Sequence, residues 1–430
     1  MTQRRKPERP EPKHPEPKRP ELKRPEPKRQ GPRPLPAHLL TAGTTWHSSR
    51  LALPFLKSGL LPWKADLEPR AEELARELDA VELRDFSAAV ENELAQRADR
   101  FAAGIEAYRR HPYRRDLADP PEIWREGTTR LLDYGPEGGR PVLFVPSLIN
   151  RAHVLDLAPG RSLLRYLATR GIRPLLVDWD RPGEAERDFD LTAYVAGRLE
   201  AAFEAALDRV GGPLGVAGYC MGGLLALALA ERRRRDVSAL VLLATPWDFQ
   251  AGNGPYARFV ASLTGPAELA FGPLGWVPTD MLQTLFFMAD PHLAIRKFTR
   301  FADLDQNSPE ALNFVATEDW LNDGVPLSLP AAKECFGGWY GENLAALGAW
   351  RVAGRPVLPQ RFDRPTLVIA PARDRLVPPA SSLPLAALIP GAELIEPDLG
   401  HIGLVVAGRA PDQVWAPLGD WLGRHVPAAR

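Results

Sequence analysis

Residues Val216–Gly223 read VAGYCMGG, inside a stretch, 211–230, that carries no charge. About 20 apolar residues in a row are what a helix needs to cross a bilayer core. Two glycine pairs and Pro213 interrupt this stretch, however, and its apolar pattern changes character at the middle. A buried strand, a tight turn and a buried helix account for it better than a membrane span. Read that way, Gly218-Tyr219-Cys220-Met221-Gly222 has the spacing Gly-x-nucleophile-x-Gly between a strand and a helix, the context that gives this short motif meaning. Such a turn strains the nucleophile's backbone, so its flanks must be small. Gly218 and Gly222 would let neighbouring backbone pass, and Gly223 would let the helix pack near the sheet. The competing reading is a buried structural cysteine, since cysteine often behaves as a small hydrophobe.

The surrounding sequence decides between them. Short apolar runs recur at 141–147, 173–180, 212–219, 239–247, 365–374 and 392–401. Helical patterns separate most of them, at 160–170, 191–210, 221–234, 379–389 and 411–425. Strands alternating with helices predict an α/β fold, with a mostly parallel central sheet and helices on both faces. The alternation breaks between 249 and 362, a stretch rich in aromatics, proline and short helical pieces. An inserted cap over the active site is expected there.

A hydrolase-type sheet presents nucleophile, acid and histidine in that chain order. Asp374 follows the apolar run at 365–374, in RDRLVP, and His401 follows the next, in DLGHIG. Of the eight histidines, His401 is the one at a strand's end after the acid. Asp248, after ATPW, is the rival acid but lies one strand too early. Cys220, Asp374 and His401 are therefore the expected catalytic residues. The imidazole would take the thiol proton and the carboxylate would orient the ring. The start of the helix favours a thiolate through its dipole and free N–H groups. An oxyanion hole needs two donors. Met221 N–H is one expectation; the other comes from the loop at Ser147, Leu148 or Ile149.

The rest of the chain bounds the function. Residues 9–28 repeat as RPEPK, HPEPK, RPELK, RPEPK, and proline at this density permits neither a packed helix nor a sheet. Positions 1–36 hold 12 basic residues against 5 acidic, whereas the remainder holds 42 against 49. The tail is basic and the body mildly acidic, so nucleic acid is not an expected partner; the tail reads as a spacer or an electrostatic contact. Residues 63–111 have helical spacing and predict an arm packed on the main domain. Two cysteines in 430 residues do not make a disulfide framework and suit a reducing cytosol. Cys335 reads as structural. No metal motif, phosphate-binding loop or dinucleotide fingerprint is present in the sequence.

The stretches PVLFVPSLINRAHVLDLAPGRSLLRYLATRGIRPLLVDWDRPG, GVAGYCMGG, TEDWLNDGVP, RDRLVP and GHIG together resemble the polyhydroxyalkanoate synthases over roughly residues 120–425. The resemblance implies an α/β-hydrolase fold and an acyltransferase that polymerises (R)-3-hydroxyacyl-CoA in the cytoplasm, at the surface of the polyester granule. It maps the family's catalytic Cys, Asp and His onto Cys220, Asp374 and His401. CoA would be a leaving group, with no bound cofactor. The partners implied are the growing polyester chain, a second synthase subunit as in the short members, and another copy of the chain in a dimer. The loop reads PSLIN where many large members have PPWIN. The expected divisions are a disordered tail (1–40), a helical arm (41–128), the first part of the core (129–248), the cap (249–362) and the second part of the core (363–430). Trp320, Asp323, Trp339 and Tyr340 are candidates to line the cap near the substrate, or to pack within it. Two other readings share the fold: a cysteine-dependent esterase or thioesterase, and a non-catalytic granule-associated protein.

Overall fold

A computed structural model describes residues 29–429. Its centre is an eight-stranded sheet. The strands are β1 (Glu122–Glu126), β2 (Thr129–Asp133), β3 (Arg140–Val145), β4 (Ile172–Asp178), β5 (Leu214–Tyr219), β6 (Val237–Leu243), β7 (Thr366–Ile369) and β8 (Glu393–Ile395). Their spatial order is β1-β2-β4-β3-β5-β6-β7-β8. From β4 to β8 all pairs are parallel, and β1 and β2 add an antiparallel edge. The six apolar runs each overlap a strand. The β1–β2 hairpin was not expected, because EIWRE is too polar to read as one.

Alternation along the strands sends side chains to two cores. Leu143 and Val145 of β3 join one, and Val142 and Phe144 join the other. Fully burying such a side chain contributes about 1.5–3 kcal/mol. The first core is covered by α5 (Glu200–Val210) and α6 (Met221–Arg232), the second by α4 (Leu163–Thr169) and α15 (Ala416–His425). Helix α13 (Pro379–Leu388) follows β7, and α14 (Gly403–Val406) follows β8.

The arm is three helices, α1 (Leu35–Lys57), α2 (Glu68–Asp79) and α3 (Leu83–Arg110). Helix α1 begins inside the stretch expected to be tail. Pro34 occupies its N-cap position and Pro36 sits in its first turn, where the missing N–H costs nothing. Just before it, Arg29 donates to Asp319 at 2.7 and 3.0 Å. The repeat at 9–28 lies outside the described residues.

Residues 249–362 hold α7 (Gly254–Ser262), α8 (Thr264–Phe271), α9 (Thr279–Ala289), α10 (Leu293–Ala302), α11 (Pro309–Asn322) and α12 (Leu329–Lys333), with a π-helical turn at Glu334–Gly341. The arm packs on this insert, where the sequence reading had placed it on the main domain. Phe101, Ile105 and Tyr108 of α3 meet Phe298 and Phe301 of α10 and Val315 of α11. A side chain at Gly104 would come within 2.0 Å of the Phe298 carbonyl oxygen, so glycine is what lets the two helices approach. Among the described residues no helix is long and apolar enough to cross a membrane.

Candidate active site

Strand β5 ends at Tyr219, α6 begins at Met221, and Cys220 stands alone between them with φ 56° and ψ −128°. Left-handed φ in a residue with a Cβ costs of order 1–3 kcal/mol and persists only where the surroundings fix it. Here they do. The Cys220 N–H donates to the Leu243 carbonyl at 2.8 Å. A Cβ on Gly218 would lie 2.4 Å from the Gly223 Cα, one on Gly222 would lie 2.1 Å from the Val145 oxygen, and one on Gly223 would lie 1.9 Å from the Thr245 Oγ1. The three glycines are crowded on three different sides, so the sulfur is held out at the strand's end.

The two downstream residues meet there. The His401 Nδ1 lies 2.6 Å from the Asp374 Oδ2. The other carboxylate oxygen of Asp374 accepts the N–H groups of Leu376 (2.9 Å) and Val377 (2.8 Å), which fixes its plane. His401 shares the wall of one cavity with Cys220, and the sulfur's charge acts on the ring. Burial alone would lower the proton affinity of the imidazole; the charges of Asp374 and Cys220, with their hydrogen bonds, outweigh it and raise His401 to about 10. The rival Asp248 does another job. Its Oδ1 accepts from the N–H groups of Gln250 and Ala251 and from the Asn343 amide, closing the turn into the insert.

One residue of this group escaped the sequence reading. Tyr219 stacks on His401, with ring centroids 5.3 Å apart, and donates its hydroxyl to the His401 carbonyl at 3.2 Å. An aromatic residue beside a glycine at the end of an apolar run reads as core, and Tyr219 is indeed buried.

Cys220 and His401 open on a cavity of about 560 Å³. Ser147, Ile149 and Trp320 line it. The Leu148 side chain turns into the core instead, and the Ile149 N–H approaches the Ser147 hydroxyl at 3.5 Å. Met221 is the first residue of α6, so its N–H has no acceptor within the helix. The loop carrying Ser147–Arg151 is clamped by the insert. The Trp320 Nε1 donates to the Arg151 carbonyl at 2.7 Å, the Val325 N–H donates to the Ile149 carbonyl at 3.2 Å, and Asn150 bridges to Gly324. Asp323 pairs with Arg151 at 3.4 Å, so it acts on the loop from outside the cavity.

Two cap candidates do not reach the cavity. Trp339 and Tyr340 pack around Phe249, at 5.6 and 4.8 Å between ring centroids; Trp339 belongs to the core and the partly buried Tyr340 packs against it. Aromatic spacing on the π-helical turn cannot tell a lining face from a packed one. Cys335, on the same turn, is buried, and burial pushes its thiol up. Conversely, Pro32, Arg33 and His38 of the arm line the cavity, though nothing in the sequence marks them.

Comparison with known proteins agrees with this architecture. The sequence profile of the alpha/beta hydrolase fold matches residues 140–407. A poly(3-hydroxyalkanoate) polymerase subunit PhaC of Haloferax mediterranei is 30% identical over 311 residues, covering 70% of this chain and 63% of its own length. The subunit of the same name from Allochromatium vinosum is 27% identical over 313 residues, covering 70% of this chain and 88% of its own. Among solved structures, a soluble variant of monoglyceride lipase from Saccharomyces cerevisiae superposes with a TM-score of 0.50 at 16% identity, over 74% of this chain and 99% of that one. With its crossed parallel sheet, its cysteine at the elbow and a profile match over most of its length, the chain belongs to the α/β-hydrolase fold family.

Proposed function

We propose that this chain is the catalytic subunit of a poly(3-hydroxyalkanoate) polymerase acting on (R)-3-hydroxyacyl-CoA, with Cys220 as nucleophile, His401 as proton carrier and Asp374 as orienting carboxylate. The observation that carries the reading is the strained cysteine facing an imidazole that is locked to a carboxylate. The polymerase names of its relatives support the substrate class. A cavity of about 560 Å³ falls within the usual range for small-molecule sites.

The geometry supports the following cycle. His401 takes the thiol proton of Cys220. The Cys220 sulfur attacks the thioester carbonyl, the bond to the CoA sulfur breaks, and CoA leaves with the proton from His401. The Met221 N–H and a loop N–H at 147–149 receive the developing oxyanion. Acylation removes the sulfur's charge, one of the causes that raise His401, so the ring gives up its proton to the departing CoA and stands neutral when the next substrate arrives. His401 then takes the proton of a 3-hydroxyl whose oxygen attacks the acyl carbonyl carbon, and the carbon–sulfur bond to Cys220 breaks. Cys220 departs as thiolate beside a protonated imidazole. Exchanging one thioester for another keeps the acyl group activated until that hydroxyl attacks, which an oxygen ester on serine would not. A second subunit, a dimer and a place at the granule surface in the cytoplasm belong to the same proposal.

The test is to incubate the protein with 3-hydroxybutyryl-CoA, with and without candidate partner subunits, following both CoA release and polymer. Polymer with CoA release is expected. CoA release with free hydroxy acid alone would replace this reading with a thioesterase. Cys220→Ala should lose at least about 10⁴-fold in CoA release. A variant as fast as wild type would remove both enzymatic readings and leave a granule-associated protein.

A further inference from the structure

The lip of the cavity carries charge of the opposite sign to the body. Deeper cations are matched by acids. Lys297 pairs with Glu318 at 2.6 Å, Arg33 with Asp280 at 2.7 Å, and Arg151 with both Asp180 and Asp323. At the lip the ratio reverses. The Asp290 Oδ2 accepts from Arg296 at 2.7 Å and from Arg375 at 3.2 Å. The Asp398 Oδ2 accepts from Arg373 at 2.8 Å and from Arg409 at 3.4 Å. Each carboxylate neutralises one of its two guanidiniums, and each cluster keeps a unit of positive charge. The four arginine side chains are 52–78% exposed, leaving donors free. Arg296, Arg373 and Arg375 line the same cavity as Cys220. Arg373 and Arg375 also flank Asp374, so the loop that orients His401 presents both clusters to solvent.

We propose that these two clusters, Arg296 and Arg375 around Asp290 and Arg373 and Arg409 around Asp398, bind the phosphate groups of the CoA thioester while its acyl end reaches Cys220. The inference rests on the polymerase reading for the identity of the anion. Guanidinium forks match phosphate oxygens two at a time. Exposed ion pairs are weak, so the two carboxylates do not hold their arginines against a doubly charged group. In a body that is otherwise acidic, two positive clusters at one opening also steer an anion toward it. The apolar wall behind them, with Phe286, Phe287 and Leu293, offers nothing to a phosphate and suits the chain that follows.

The test compares 3-hydroxybutyryl-CoA with 3-hydroxybutyryl-pantetheine, the same thioester without phosphates. In an Arg296→Glu/Arg375→Glu variant, KM for the CoA ester should rise about tenfold or more, which is the loss of a charge-assisted contact. Turnover of the pantetheine ester should stay within about twofold of wild type, since it makes no phosphate contact; that also shows the variant is folded. An equal rise for both esters, or for neither, overturns the proposal. If wild-type protein turns over neither ester, the polymerase reading fails, and calorimetric titration with CoA alone then decides. Binding weakened about tenfold in the variant upholds the lip site, and unchanged or undetectable binding overturns it.

Discussion

The turn at Cys220 and the cap segment at 320–325 face each other across one cavity, and they are held by different means. The turn is fixed by backbone: a β6 carbonyl accepts its N–H, and three glycines leave no room for any other path. The cap segment is fixed by a few isolated links: an indole on a carbonyl, a short backbone bridge with one N–H on a carbonyl, and a loose ion pair. Steric exclusion is all or nothing, whereas a hydrogen bond exchanged with water contributes about 0.5–1.5 kcal/mol. The position of Cys220 should therefore fail abruptly under substitution, and the loop at Ser147–Arg151 should degrade by degrees.

The largest effect belongs to the turn. Gly222→Ala places a methyl 2.1 Å from the Val145 oxygen and 2.6 Å from Pro146, both backbone. Denaturant unfolding should show a loss of more than about 3 kcal/mol. Gly197→Ala is the matching control, since it is exposed with open space around its Cβ; it should be neutral or stabilise by up to about 1 kcal/mol. Equal behaviour of the two would mean that crowding does not hold the elbow.

Next comes Asp374→Asn, expected to lower kcat by about 10²–10⁴-fold. It also carries a sign in pH. His401 is raised above its ordinary value, so its contribution to stability is fully present below about pH 6.5 and is lost as pH rises through about 10. The stability gap between wild type and variant should be widest below pH 6.5 and close toward pH 10. The alkaline limb of kcat/KM should lie near pH 10 in wild type and move to lower pH in the variant. A limb that stays in place would mean that the carboxylate does not hold the proton on the ring.

The smallest effect belongs to the cap. Trp320→Phe removes the bond to the Arg151 carbonyl while keeping most of the apolar bulk. A fall of about 3–10-fold in kcat with KM little changed is expected. A change confined to KM would mean that Trp320 touches substrate without positioning the loop.

The same division explains what the sequence disclosed. The turn was legible because its glycines, its cysteine and its flanking runs are contiguous, and the fixed order of nucleophile, acid and histidine located Asp374 and His401 from strand ends alone. The cap was less so. Trp320, though buried, reaches the cavity wall, while Trp339 sits in the core and Tyr340 packs against it, equally aromatic and equally suited by sequence. Which face of a helical turn meets a ligand depends on its tertiary neighbours, and spacing does not encode them. The arm's share of the wall was hidden for another reason. Arg29 and Asp319 are 290 residues apart, and a single long-range ion pair leaves no periodic trace. Proline density made residues 29–40 look like tail, although Pro34 and Pro36 stand where a helix tolerates them.

The insert between β6 and β7 has a consequence for the order of synthesis. Tyr219, one residue before the sulfur, touches His401 across 182 positions of chain. Strand β7, which leads to Asp374, pairs directly with β6 only after the whole insert has been made. Chains emerge N-terminus first, at about 5–20 residues per second. A nascent chain thus displays its elbow well before any base can take the thiol proton. The reactive centre is completed by the last segments to dock, and a prematurely terminated product carries a thiol without a catalyst around it.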